Sequence, residues 1–175
     1  MTTSGAIVEV TVVNGGRAMQ IRRGVAGDVG GIDQLLSEVL EVHHQGRPDL
    51  FKTGARKYTD EQLAAILTDN ERPVFVATPD DSHRVLGYAF CVFQRHPNDN
   101  ILTDVATLYI DDLCVDESVR GDHVGSSLYK HVLEFARRSG CYNVTLNVWS
   151  CNPAAVKFYE RMGLTPQKIG MEQIL

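Results

Sequence analysis

Apolar residues along this chain follow two periods, and their alternation sets out most of the elements. From Asp28 the positions Val29, Ile32, Leu35, Leu36, Val39 and Leu40 recur at helical spacing, with Asp28 available as the N-cap. Upstream, residues Met1 to Ala18 end in Asn14-Gly15-Gly16 and read as an extension: a frayed arm, an extra strand or a misassigned start. Met19 to Arg23 then opens a strand, so residues 19–175 are expected to form a single domain. His43 to Lys57 mixes Gly46, Pro48 and Gly54 with charges and predicts a loop or broken helix, before a short helix from Asp60 to Thr68. Val74 to Thr78 and Val85 to Phe93 predict two strands joined by a polar turn at Pro79 to His83, with Pro97 to Asn100 as the next turn.

Thr107 to Val115 is apolar and β-branched, yet carries the adjacent acids Asp111 and Asp112, an unusual place for charge. After a polar loop from Asp116 to His123, Val124, Leu128, Val132 and Phe135 mark a helix that Gly140 ends. Asn143 to Trp149 predicts a strand, Asn152-Pro153 starts a helix through Met162, and Gly163 closes it. Two short strands are expected around Gly170, within Leu164 to Leu175. Hairpin-linked strands in the middle and helical crossovers later predict a mixed α/β sheet covered by helices on both faces.

Composition narrows the function classes. The chain has 175 residues, 43% hydrophobic and 22% charged, which suits one soluble domain with a sizeable core. A net charge of -5 and no long Lys/Arg cluster disfavour a nucleic-acid partner, whose phosphates are bound through basic residues. No stretch approaches membrane-spanning length, and Glu9 interrupts the single candidate for a signal segment, so a cytoplasmic protein without a membrane partner is expected. Cys91, Cys114, Cys141 and Cys151 show neither a C-x-x-C pair nor metal-ligand spacing and read as reduced, mostly buried thiols, with no metal site.

The loop Arg120-Gly121-Asp122-His123-Val124-Gly125 lies between a strand and a helix and is followed by Ser126 and Ser127. Free backbone N–H groups and the positive helix end make such a junction an anion site, and Arg120 would add a charge-assisted bond. A glycine-bearing turn before a helix is also a common structural device, so the loop alone leaves both readings open. A second segment, Asn152 to Leu164, reads N-P-A-A-V-K-F-Y-E-R-M-G-L. The order V-D-x-x-x-R-G-x-x-x-G-x-x-L, a strand, then N-x-x-A-x-x-F-Y-x-x-x-G resembles the core of the GNAT acetyltransferases, closely over about Thr107 to Leu164.

That resemblance implies a mostly antiparallel sheet of six to seven strands, splayed at its centre to hold acetyl-CoA. Backbone groups of Leu113 and Val115 would pair with the pantetheine arm, with Cys114 between them in the cofactor site. Arg120, Gly121, Asp122, His123, Val124, Gly125 and Ser126 would hold the pyrophosphate, and Asn152, Ala155 and Phe158 would complete the cofactor site. Tyr159 would protonate the departing CoA thiolate. The family usually has glycine three residues after the arginine, where this chain has His123; its side chain either crowds the pyrophosphate or contacts it when protonated.

On the acceptor side, the amine must lose a proton before it attacks a thioester, which a nearby carboxylate would accept. Strand alternation puts Asp111 and Asp112 on opposite faces, so at most one is expected to face the cleft. The run L-Y-I-D-D-L-C-V resembles the corresponding strand of polyamine acetyltransferases, where an acidic pair serves substrate binding and proton removal. From Pro97 to Val119 there are six acids and no Lys or Arg, an asymmetry that attracts a cation. The alternative is that one aspartate is a structural acceptor and the other solvated. Asn147 and Trp149 alternate with apolar residues and could line the acceptor site, as could Phe51, beside His43, His44 and Arg47 in the long loop that walls the pocket in this family.

The expected activity is therefore direct acetyl transfer from acetyl-CoA to a primary amine of a small cationic acceptor, in a ternary complex without an acetyl-cysteine. Competing readings are a protein N-terminal or aminoglycoside acetyltransferase, and a non-catalytic acyl-CoA-binding module, which His123 favours and Tyr159 with the acidic pair opposes. Exposed edges at the carboxyl-terminal strands would allow a homodimer.

Overall fold

Val74, Phe75, Val76 and Ala77 are all apolar and all buried, the pattern of a strand covered on both faces. The strand they open lies inside the sheet of the computed structural model, which describes residues 10–14, 17–79 and 84–175. The expected extension is described from Val10, and the turn expected at Pro79 to His83 lies, beyond Pro79, outside the described residues. In chain order the elements are β1 (Val10–Asn14), β2 (Arg17–Arg23), α1 (Val29–Gly46), α2 (Asp60–Thr68), β3 (Val74–Pro79), β4 (Gly87–Gln94), β5 (Thr107–Val115), α3 (Val124–Arg138), β6 (Asn143–Leu146) and α4 (Pro153–Arg161).

The described strands form one six-stranded sheet in sequence order, antiparallel throughout except for the parallel pair β5–β6. Alternate residues of the central strands feed two cores. Phe75, Ala77, Ala89 and Cys91 pack with Leu128, Tyr129, Val132 and Ala136 of α3. Val74, Val76, Tyr88 and Phe90 pack on the other side with Ile32, Leu35 and Leu36 of α1 and Leu63, Ile66 and Leu67 of α2. The mixed sheet with helices on both faces is thus as the patterning predicts.

α1 differs from expectation at both ends. Asp28 stands at its N-cap but does not cap it; the buried carboxylate instead takes a two-point ion pair from Arg22, at 2.7 and 3.0 Å, and accepts the Val25 N–H at 2.9 Å. The helix also runs through His43 and His44 to Gly46, taking them out of the expected loop. Thr59 begins α2 with a capping box to Gln62.

The β4–β5 ladder carries the irregularity that matters most. Phe90 faces Asp112 and Cys91 faces Ile110, so Asp111 is an extra residue with no partner across the ladder, a β-bulge. Before it Leu108 and Ile110 point to the α3 core; after it Leu113 and Val115 do, while Cys114 joins the α1 core. One inserted residue has inverted the face code of the strand.

β5 pairs with β6 only from Thr107 to Ile110, so the strand expected to reach Trp149 stops at Leu146. The bulge follows Ile110 directly, and past it β5 no longer presents a regular ladder on that side. Residues 164–175 form no strand either: Ile169, Met171, Ile174 and Leu175 are all exposed, and the segment is tied back to the end of α1 by the Arg47–Glu172 ion pair at 2.8 Å. The dimer edge expected at carboxyl-terminal strands therefore has no structural basis in the described residues.

Candidate functional site

The β5–α3 junction is the loop expected to cradle an anion. Asp116 fixes its start by accepting the Ser118 N–H at 2.8 Å, and Arg84 forms an ion pair with Asp116. The first helical N–H of α3 to bond back is that of Ser127, to the His123 carbonyl at 3.0 Å. Among the described residues, the N–H groups of Val124, Gly125 and Ser126 have no backbone acceptor, as expected of a first helical turn. Arg120, Gly121, Asp122 and His123 are exposed around them, and Arg120 Nε donates to the Val115 carbonyl at 3.4 Å.

Two backbone positions explain the residue types here. Gly121 and His123 both have positive φ, +95° and +60°. Glycine accepts that conformation freely, and a residue with a Cβ accepts it at a cost of about 1 kcal/mol, so His123 occupies a place shaped for glycine. Gly125 answers a different need: a Cβ there would lie 3.3 Å from Val115 Cγ2 and 3.5 Å from Phe158 Cζ, so a side chain would hold α3 away from β5 and α4. Val124 is buried in the α3 core, which leaves only its N–H to the cradle, and the Ser126 hydroxyl donates to the His123 carbonyl at 2.9 Å.

From Asp111 to Val115, β5 has no strand on its β6 side among the described residues. Leu113 and Val115 lean on the α3 core, whereas the Cys114 side chain is buried toward α1, its Sγ 3.7 Å from the Leu35 carbonyl. Burial pushes the Cys114 thiol up to about 12, with the Asp112 charge adding to it, so it is no nucleophile at neutral pH. Across the gap Asn152 caps α4, its Oδ1 accepting the Ala155 N–H at 3.1 Å, with Pro153 in the first turn. Phe158 packs against the α3 core, and Tyr159 meets Phe158 and Tyr129 edge-on, with ring centroids 5.1 and 6.5 Å away. Burial, reinforced by Asp112, raises the Tyr159 phenol far above its ordinary value, so it carries its proton at any physiological pH.

The acidic pair corrects the alternation argument. Because Asp111 is the bulged residue, both carboxylates reach the same atom: Lys57 Nζ lies 3.1 Å from Asp111 Oδ2 and 3.2 Å from Asp112 Oδ2. Asp111 is exposed, but the Asp112 side chain is only 10% exposed. Burial raises the Asp112 pKa, against the opposing pull of the Lys57 ammonium. Burial alone would lower the Lys57 pKa; Asp112 and then Asp111 outweigh it and hold the amine protonated. No motif signals Lys57, which sits at the end of an irregular segment and is brought to β5 by the fold.

A wall of rings joins the end of α1 to the segment after β6. Phe51 packs on His43 at 5.0 Å and meets Trp149 edge-on at 5.3 Å, and its carbonyl accepts from His44 Nδ1 at 2.7 Å. Burial lowers the His43 pKa, with Asp112 opposing and Lys57 adding to the drop, so the ring is neutral. Trp149 keeps 41% of its surface exposed and belongs to this wall rather than to the core. Asn147 and Trp149 lie beyond the end of β6, so alternation along a strand does not aim them; the Asn147 amide donates to the Tyr109 hydroxyl at 3.1 Å. Gly46 completes the wall, where a Cβ would meet Cys151 Sγ at 2.9 Å.

Among the described residues, no cluster of His, Cys, Asp or Glu could hold a metal ion, and no helix is long and apolar enough to cross a membrane. Glucosamine 6-phosphate N-acetyltransferase 1 of Oryza sativa is 32% identical over 63 residues, 36% of this chain and 36% of that enzyme, so the match spans about a third of the relative's length. A crystal structure of the BH1408 protein from Bacillus halodurans superimposes with a TM-score of 0.83 at 26% identity, covering 89% of this chain and 98% of that one. An aminoglycoside acetyltransferase from an uncultured soil metagenomic sample, solved in complex with sisomicin, shares the fold at a TM-score of 0.68 and 19% identity, over 90% of this chain and 96% of that one. The sequence profile described as the acetyltransferase (GNAT) family matches residues 37–164, a span that runs from α1 through the anion cradle to Tyr159. The chain therefore belongs to the GNAT family of acetyl-CoA-dependent N-acetyltransferases.

Proposed function

We propose that the chain transfers acetyl from acetyl-CoA to a primary amine of a small, cationic acceptor by direct attack within a ternary complex. The observation that carries this reading is the convergence of Asp111 and Asp112 on one ammonium at 3.1 and 3.2 Å: a site that holds the lysine cation would hold an acceptor's ammonium. Asp112 would take the ammonium proton, its raised pKa making it a stronger base than a free aspartate. Leu113, Cys114 and Val115 would offer backbone groups to the pantetheine along the unpaired side of β5. The α3 cradle, with Arg120, would take the pyrophosphate, and Tyr159 would return a proton to the sulfur as the thiolate leaves. The high pKa of Cys114 argues against an acetyl-cysteine.

An amino sugar is the acceptor class next in line, because the curated relative is named for glucosamine 6-phosphate and a fold neighbour for aminoglycosides. The Phe51–Trp149 wall suits the apolar face of a sugar ring as well as an alkyl chain. A non-catalytic acyl-CoA module is less favoured, since it leaves the half-buried Tyr159 phenol and the carboxylate pair without a use. Calorimetric titration with acetyl-CoA, followed by free-thiol release on a panel of polyamines, amino sugars, aminoglycosides and peptides, tests the assignment. Turnover on one cationic amine supports it; binding with no turnover on any acceptor favours the module, and no binding at all sinks both.

A further inference from the structure

We propose that Lys57 is itself an acetyl acceptor, a self-modification site within the acceptor pocket. Its ε-ammonium is a primary amine already seated between Asp111 and Asp112, the two carboxylates assigned to the acceptor, with the Tyr58 ring 5.5 Å from Nζ on another side. The amine and its proton acceptor are therefore already in contact, Lys57 Nζ lying 3.2 Å from Asp112 Oδ2. The side chain is partly buried and its charge is answered within the site, so it stays in place until another ammonium displaces it. This inference rests on the acetyl-transfer reading above and adds to it a product that forms when no acceptor is present.

The chemistry balances without any further reagent. The Lys57 ammonium passes one proton to the Asp112 carboxylate, and the freed nitrogen lone pair attacks the thioester carbonyl. A carbon–nitrogen bond forms, the carbon–sulfur bond breaks, and its electron pair leaves on sulfur. Tyr159 protonates that thiolate and regains a proton from the newly acylated nitrogen. The products are an amide on Lys57, free CoA and one proton that Asp112 releases to water. The amide has no charge, so acetylation also removes the cation that Asp111 and Asp112 hold.

The test incubates the full chain with acetyl-CoA and no acceptor, then maps acetyl groups by peptide mass spectrometry. The expected result is one acetyl group on Lys57, gained at a first-order rate independent of protein concentration, well ahead of every other lysine. Lys57→Arg keeps the ion pair and offers no transferable ε-amine, so it removes this modification without loss of fold. Tyr159→Phe should slow it by about 10-fold or more while leaving background acetylation of surface lysines unchanged. Melting curves and acetyl-CoA titrations of both variants show that they are folded. Lys57 modified no faster than surface lysines, or equally fast in Tyr159→Phe, overturns the inference. If the same preparation turns over an added amine while Lys57 stays unmodified, the inference alone falls; if it fails to bind acetyl-CoA, the proposed function falls with it.

Discussion

Asp111 and Asp112 are consecutive in the chain, yet both carboxylates meet Lys57 Nζ, at 3.1 and 3.2 Å. A regular strand would send them to opposite faces. The bulge at Asp111 removes that separation by letting Phe90 pair with Asp112 and Cys91 with Ile110. Their exposures then divide the work: Asp112 is enclosed enough for its proton affinity to rise, while Asp111 remains in contact with water.

The first prediction separates the two. Asp112→Asn removes the proposed base and should lower kcat for the best acceptor by about 10²–10³. Asp111→Asn removes an exposed charge and should act mainly on KM, by roughly 10-fold or less. Steady-state kinetics of both variants on one acceptor decide this. Equal losses in kcat would show that the pair acts as a unit.

Much of this site is legible in the residues themselves, and the exceptions have definite causes. The strand from Thr107 to Val115, the loop with Arg120 and Gly121, and the Asn152-capped helix are set by local signals: β-branched runs, glycine at positive φ, and a cap followed by proline. The bulge is not legible, because nothing local marks which residue of Ile110-Asp111-Asp112 the partner strand will skip. Lys57 is hidden for a related reason, since its approach to β5 is a tertiary contact across more than fifty residues. Residues 164–175 show apolar residues at intervals that suggest strands, but a strand needs a partner strand and the segment pairs with none among the described residues.

His123→Gly tests the position where glycine is usual in this family. Relief of the strained backbone, about 1 kcal/mol, is largely offset by the greater freedom glycine gives the unfolded chain, so stability should change by less than about 0.5 kcal/mol. Acetyl-CoA should bind about 3- to 10-fold tighter, a gain of up to about 1.4 kcal/mol, because the backbone can then approach the pyrophosphate. Calorimetric titration of the two proteins measures it. Weaker binding to the glycine variant would instead assign the imidazole a contact with phosphate.

His131 predicts a pH dependence that owes nothing to catalysis. The ring is buried on α3 against Phe75, centroids 4.8 Å apart, and burial lowers its pKa from 6.5 to about 4, with Arg138 adding to the drop. The unfolded chain takes up a proton as pH falls through 6.5, and the folded chain resists it until about 4, so stability falls as pH drops across that window. With some solvent access to the ring discounted, the loss should be about 2 kcal/mol. Urea unfolding at pH 7 and pH 4.5 should show that loss in the parent and a clearly smaller one in His131→Gln.

Tyr159→Phe isolates the proton return to sulfur. The phenylalanine ring keeps the edge-on contacts with Phe158 and Tyr129, so the melting temperature should stay close to that of the parent. Acetyl-CoA binding, proposed to rest on the α3 cradle and the open side of β5, should also be unchanged. What is lost is the hydroxyl that burial and Asp112 keep protonated, and with it the proposed general-acid assistance, so kcat should fall by about 10²-fold with little change in KM. Acceptors do not alter the leaving group, so the loss should be similar for every amine that the enzyme accepts. A loss confined to one acceptor would move Tyr159 from the thiolate to the acceptor, and a rise in the acetyl-CoA dissociation constant would make it a binding residue.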